Sequence, residues 1–310
     1  MQFLKGLAIS LLGFLLFLSL SLFGTAFMLN QTILNPDFVV SQINKLDLTS
    51  LVRETGIIEP MIQDLSQQFS QQFPQAGSLV PKVLNDTMDD LEPWVKEEAG
   101  KVTYSFHDYL VGKSQTLSMT VSLAPVKDAL ATNLKETVLE SPQLATAPPA
   151  IKEQITIGIA QLTQEMPATF DLKESAFPPE VRGTLGQVRQ GISYFQTAYP
   201  ALIGFMALLA LGIILIYRQV KGATRSLGST FLTYGVLGYA GIFAAQYLLG
   251  TQIGALGLPS SLQSWLPQFL NSLWAPLQTF NIAVGVIGLV LVIISIVCRH
   301  EPSVEANDHP

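Results

Sequence analysis

Apolar residues in this chain follow two patterns: long unbroken runs, and stretches where they return every three or four positions. The unbroken runs cover residues 7–29, 199–217, 227–249 and 277–298. Each is close to the roughly 20 residues needed to cross a hydrocarbon core of about 30 Å as a helix. The periodic stretches fill residues 30–198 and the connection at 250–276.

Within 30–198 the spacing predicts amphipathic helices. Asn35-Pro36-Asp37 is a helix start, because Pro36 needs no donor there and Asp37 suits the first turn. Ile58, Ile62, Leu65, Phe69 and Phe73 form one stripe. Val80, Leu84, Met88, Leu91 and Val95 form another, continuing through Val102, Phe106 and Tyr109. Val126, Leu130, Leu134 and Val138 make a third, and Ile151, Ile155, Ile159, Leu162 and Met166 a fourth. Pro142, Pro148, Pro149 and Pro167 punctuate them.

One segment departs from this period. From Leu117 to Leu123 apolar and hydroxyl residues alternate, as in a half-buried strand, and residues 169–172 are its expected partner. The last helix before the second run carries Val181, Leu185, Val188, Ile192, Phe195 and Tyr199 at 4-3-4-3-4 spacing, a heptad-like seam. Two readings stand for it: a helix packed on its own domain, or a stalk that transmits motion or holds a partner chain. Pro200 at its end is expected to kink or restart the helix.

The 250–276 connection is patterned too. Leu262, Trp265, Leu266, Phe269, Leu270, Leu273 and Trp274 share one helical face, with Ser261, Gln263, Ser264, Gln268, Asn271 and Ser272 opposite. Ser260 or Ser261 suits the cap, Pro267 predicts a bend and Pro276 an end. Such a helix either lies in the membrane interface with its two tryptophans or packs on the outside domain as a lid. A lipid-binding role is a further reading of the same face.

Charge supplies the orientation. Residues 37–189 hold twelve Lys/Arg against twenty Asp/Glu, whereas residues 226–298 carry no charge of either sign. The other basic residues are Lys5, Arg218, Lys221, Arg225 and Arg299, all flanking apolar runs. The excess of cytoplasmic positive charge then predicts both termini inside and 30–198 outside. The expected order is a cytoplasmic N-terminus at 1–6, a first span at 7–29 and an extracytoplasmic domain at 30–198. A second span at 199–217, a cytoplasmic turn at 218–226 and a third span at 227–249 follow. The connection at 250–276, a fourth span at 277–298 and a cytoplasmic tail at 299–310 complete it. The sequence thus predicts a mostly α plasma-membrane protein of bacterial type, with four transmembrane helices and a helical, minor-β extracytoplasmic domain between the first two. For the first run a cleavable signal peptide is the rival, with Gly24-Thr25-Ala26 as cleavage positions, but 6–36 is longer than a usual h-region.

Little chemistry rises above this frame. The spans hold no ionisable residue of the kind that marks ion paths, which argues against a coupled transporter. Gln246 and Asn281 suit interhelical hydrogen bonds, and Gly235, Gly238, Gly241, Ala245, Gly285 and Gly288 suit close helix approach. No phosphate loop, serine-hydrolase elbow or zinc-protease motif occurs. His107 adjoins Asp108, but neighbours on a helix do not face each other. Asp89, Asp90, Glu92, Glu97 and Glu98 lack the spacing of a calcium loop and read as a solvated face. Asn30-Gln31-Thr32 and Asn85-Asp86-Thr87 match the glycosylation triplet. The lone Cys298 excludes an internal disulfide. The acidic balance excludes nucleic acid as a partner.

These features imply no cofactor, metal or catalytic residue. The expected partners are the lipid bilayer and a membrane or extracytoplasmic protein, or a second copy. The leading expectation is a non-enzymatic protein whose outside domain binds a partner or ligand. Lipid or apolar-ligand handling at the outer leaflet is the alternative. An outside hydrolase built around His107 is the third reading.

Overall fold

A computed structural model describes residues 2–56, 59–60, 63, 66–67, 79–139, 148–217, 219–253 and 257–297. Among the described residues, 86% are helical. Its elements are α1 (Gln2–Gln31), α2 (Pro36–Lys45), α3 (Leu48–Thr55), α4 (Val80–Leu110), β1 (Ser118–Ser122), α5 (Ala124–Leu134), α6 (Pro149–Glu165), β2 (Thr169–Lys173), α7 (Pro179–Tyr217), α8 (Val220–Ile253) and α9 (Ser260–Val297). A single π turn, Lys135–Leu139, extends α5. The stripe from Ile58 to Phe73, apart from its flanking polar positions, lies outside the described residues, as do Arg218, Cys298 and the 299–310 tail.

Four helices, α1, α7, α8 and α9, are long and apolar enough to cross a membrane. The chain divides into two compact units. One comprises residues 1–35, 191–256 and 267–310, and the other residues 36–190 and 257–266.

In the first unit the buried centre is Leu16 and Leu20 of α1, Leu209 and Ile213 of α7, Leu227 and Tyr234 of α8, and Val284 of α9. Large apolar side chains elsewhere on these helices, such as Phe14, Leu208, Phe243 and Ile287, are exposed, as lipid-facing positions must be. An aromatic cluster draws on all four helices. Phe23 stacks on Tyr199 at 5.2 Å and meets Phe280 at 5.4 Å, while Tyr234 lies edge-on to Phe17 and Phe280.

The close approach of α8 to α9 rests on glycine. A Cβ on Gly238 would collide with the Asn281 amide, and one on Gly288 would lie 2.4 Å from the Leu232 nitrogen. Gly228 abuts the Gly288 carbonyl. Gly241 has nothing within 4 Å and takes no part, contrary to its expected role. Gln246 joins helices as expected, accepting from Gln278 at 3.2 Å and donating to Asn271 at 3.3 Å.

Two expected boundaries are corrected. The turn at 218–226 is shorter, because helix resumes at Val220. Pro276 does not end a helix, and α9 runs through both Pro267 and Pro276 to Val297. Pro200 lies inside the continuous α7, so the helix does not restart there. An internal proline removes one ladder bond, and the apolar residues on either side keep enough packing to carry the helix past it.

In the second unit α4 is the spine. Its ion pairs Lys82–Asp86, Glu92–Lys96 and Glu97–Lys101 sit at i,i+4 and add a few tenths of a kcal/mol each. Helix α2 crosses it where Val40 meets Gly100 and where the Tyr104 hydroxyl donates to Asp37 at 2.7 Å. Helix α3 starts on Asp47, whose carboxylate accepts from the Ser50 amide at 2.8 Å. It ends on Gly56 at φ 63°, a left-handed cap that favours glycine.

The alternating segment is a strand and finds the expected partner. β1 pairs antiparallel with β2, Thr120 opposite Asp171, and the Thr120 hydroxyl donates to that carboxylate at 2.7 Å. Met119 and Val121 are half-buried while Ser118, Thr120 and Ser122 are exposed, so the alternation is the burial pattern. Leu117, just before β1, is buried and anchors the ribbon.

Candidate functional site

Three helices of the second unit leave an apolar groove between them. Leu48 and Val52 come from α3, and Val126 and Leu130 from α5, with Met166 beside them. Leu84, Met88, Leu91 and Val95 of α4 form the floor. Its volume is about 480 Å³, within the range of small-molecule sites. The floor is the stripe that helical periodicity picks out in the sequence. Successive turns of α4 therefore present one continuous apolar surface that α3 and α5 flank without covering: Val95 remains 38% exposed.

Polar groups are few and sit at the groove's wall. The Thr49 hydroxyl donates to Glu92 at 2.7 Å, and Lys96 pairs with the same carboxylate at 2.7 Å. The Lys96 ammonium, and then the Thr49 hydroxyl, hold the Glu92 carboxyl below its ordinary range. Thr87 differs. It is 5% exposed, and its hydroxyl has no hydrogen-bond partner among the described residues. A buried hydroxyl without a partner costs about 1–3 kcal/mol. The same burial leaves Asn85-Asp86-Thr87 poorly placed as a glycosylation triplet, and Asn85 already accepts from Arg53 at 3.3 Å.

The acidic residues that the sequence left as a solvated face are individually partnered. Arg53 holds Asp89 through two 2.8 Å contacts, Asn133 donates to Asp90 at 2.8 Å, and Lys101 bridges Glu97 and Glu98. They do not converge on a common point. His107 and Asp108 come closer than their adjacency on a helix suggests, with Nδ1 and Oδ1 3.5 Å apart. They lie in the last turn of α4, where Lys113 also reaches Asp108 at 3.4 Å. That carboxylate is thus shared with a lysine rather than reserved for the imidazole.

The seven residues of the patterned connection, Leu262, Trp265, Leu266, Phe269, Leu270, Leu273 and Trp274, are all half-buried, while Gln263, Ser264, Gln268 and Asn271 are exposed. Its first turns belong to the second unit. There the Glu54 carboxylate accepts from the hydroxyls of Ser260 and Ser261 and from the Ser261 amide, capping α9. Trp265 donates its indole N–H to the Gln42 carbonyl at 3.1 Å. Sequence identified Ser260 and Ser261 as capping positions, but the cap is supplied by a carboxylate two hundred residues earlier.

The seam residues divide into two groups. Ile192 is buried and Phe195 and Tyr199 are half-buried, with Tyr199 stacked on Phe195 at 5.6 Å. Val181 and Val188 are exposed, and Leu185 is half-buried. Between them Arg189 lies over the Tyr109 ring at 5.0 Å and donates to the Ser114 carbonyl.

Comparison with protein-family models, with curated proteins and with solved structures finds no match to this chain.

Proposed function

We propose that this multi-pass membrane protein presents its 36–190 unit outside the cell and binds an elongated, lipid-like apolar ligand there, without catalysis. The observation that carries this reading is the apolar groove on α4 that α3 and α5 flank without covering. Leu, Met and Val side chains supply non-directional affinity for an alkyl chain. The Thr49–Glu92–Lys96 group supplies the few polar contacts that orient it. The orientation follows the basic residues flanking the spans, Lys5, Lys221 and Arg225 among them. Retention of the first helix is supported by Leu16 and Leu20, which are part of the first unit's core.

The test is photocrosslinking of the full-length protein in nanodiscs with a diazirine-bearing fatty acid, followed by peptide mapping. Label concentrated on the peptides carrying Leu84–Val95 and Val126–Leu130 is expected, and Met88→Trp, which fills the groove, should reduce it at least tenfold. Label spread evenly over the exposed faces of the four long helices, unchanged by Met88→Trp, would refute the reading.

A second reading, a protein partner or second copy on α7, is favoured by the exposure of Val181 and Val188 at heptad positions. Val188→Asp should then abolish a crosslinked adduct formed in intact membranes. A chain that yields no adduct under any crosslinker removes this reading.

A further inference from the structure

The first unit holds a second site of different character. Lys221, Arg225, Val292, Ser295 and Ile296 line a cavity of about 380 Å³ where the start of α8 meets the end of α9. Ser295 fixes this junction by donating to the Lys221 carbonyl at 3.2 Å. Gly222, beside Lys221, is packed against the Tyr217 ring, and the Lys5 ammonium of α1 lies 5.8 Å from the centre of that ring.

Electrostatics biases this arrangement toward an anion. Lys221 and Arg225 stand at i,i+4, where like charges repel, and within the first two turns of α8, where the helix dipole is positive. No Asp or Glu occurs among the described residues of this unit, so neither cation has a carboxylate partner among them. The lining is also amphiphilic: two cations and a hydroxyl sit beside Val292 and Ile296, and Ile296 is 64% exposed. Those side chains belong to a helix long and apolar enough to span a membrane, close to its end.

The geometry points to a binding site for the headgroup of an anionic phospholipid, its phosphate held by Lys221 and Arg225 and its acyl chains lying along Val292 and Ile296. The Arg225 guanidinium offers paired donors that match phosphate oxygens, and Lys221 adds a point charge. A basic pocket between spanning helices at the membrane surface is the setting in which such headgroups bind. A soluble phosphate would satisfy the charges and leave the apolar half of the lining unused.

The test is native mass spectrometry of the full-length protein released from mixed vesicles of phosphatidylglycerol and phosphatidylcholine with identical acyl chains. Preferential retention of phosphatidylglycerol is expected. Lys221→Gln with Arg225→Gln should lower that retention roughly 30-fold, the effect of about two surface charges, and leave phosphatidylcholine unchanged. Arg225→Lys with Lys221 intact should keep most of the preference, which separates loss of charge from loss of fold. Equal retention of the two lipids by the parent protein, or undiminished preference in the double variant, would overturn the site. Displacement of the lipid by millimolar inorganic phosphate would assign the pocket to a soluble anion and overturn the lipid assignment.

Discussion

Gly235 of α8 and Gly285 of α9 meet backbone to backbone: a Cβ on Gly235 would lie 2.5 Å from the Gly285 Cα, whereas a Cβ on Gly285 would lie 3.6 Å from the Gly235 Cα. The contact is asymmetric. One partner has no room for a methyl group and the other has ordinary van der Waals space.

Gly235→Ala should therefore destabilise the protein by about 1–3 kcal/mol, the usual range for overpacking. Gly285→Ala should be tolerated to within about 0.5 kcal/mol. Gly241→Ala, at a helical glycine with nothing within 4 Å, should be neutral or slightly stabilising, since alanine is the better helix former. Thermal unfolding of the three variants in one detergent tests the order. Equal losses at Gly235 and Gly285 would contradict it.

Local rules carried much of this fold. The four apolar runs, the helix start at Asn35-Pro36-Asp37 and the alternation that makes β1 are all properties of a few neighbouring residues. Even the β2 partner was legible, because a lone strand leaves its ladder unpaired. What stayed hidden depends on residues far apart in the chain. The α4 stripe was readable, but whether α3 and α5 cover it or only flank it is a matter of how helices cross. Glycine content signalled close approach without saying that Gly235 meets Gly285 while Gly241 meets nothing. Pro276 was misread because a proline's local cost is fixed by chemistry, whereas continuation past it is decided by the packing on either side.

Thr87→Val replaces a buried, unpartnered hydroxyl with a methyl group of similar size. In delipidated protein it should raise unfolding stability by about 1 kcal/mol, the lower end of the cost of an unmade hydrogen bond. Chemical denaturation of parent and variant measures it. A loss of stability in the variant would mean that the hydroxyl is already satisfied.

The Glu54 cap has a defined pH dependence. Hydrogen bonds from the Ser260 hydroxyl, and then from the Ser261 amide, lower the Glu54 pKa from its ordinary value. A carboxylate whose folded pKa is depressed contributes stability above its unfolded pKa and loses it as pH falls through the folded value. The first turn of α9 should therefore be held at neutral pH and released below the ordinary carboxylate range. The protection factor of the amides near Ser261, taken relative to the intrinsic exchange rate at each pH, should fall on acidification, and Glu54→Gln should show low protection already at pH 7. No difference between pH 7 and pH 3 in the parent protein would count against the cap.

Orientation is open to a direct test, because Cys298 is the chain's single cysteine. In a Cys298→Ser background, Gln67→Cys and Gln263→Cys should react with an impermeant maleimide added to intact cells, and Gly222→Cys should not. The inverse pattern would reverse the membrane orientation.

The β1–β2 ribbon joins segments that have the whole of α5 and α6 between them. Closing so long a loop has an entropic cost that no local contact repays in advance, whereas the helices on either side can form from neighbouring residues within microseconds. The ribbon should accordingly be a late event in folding. When the second unit opens, Thr120 and Asp171 should part while α4 still holds its shape, so the strand amides, and not those of the spine, should set the threshold for exchange with solvent.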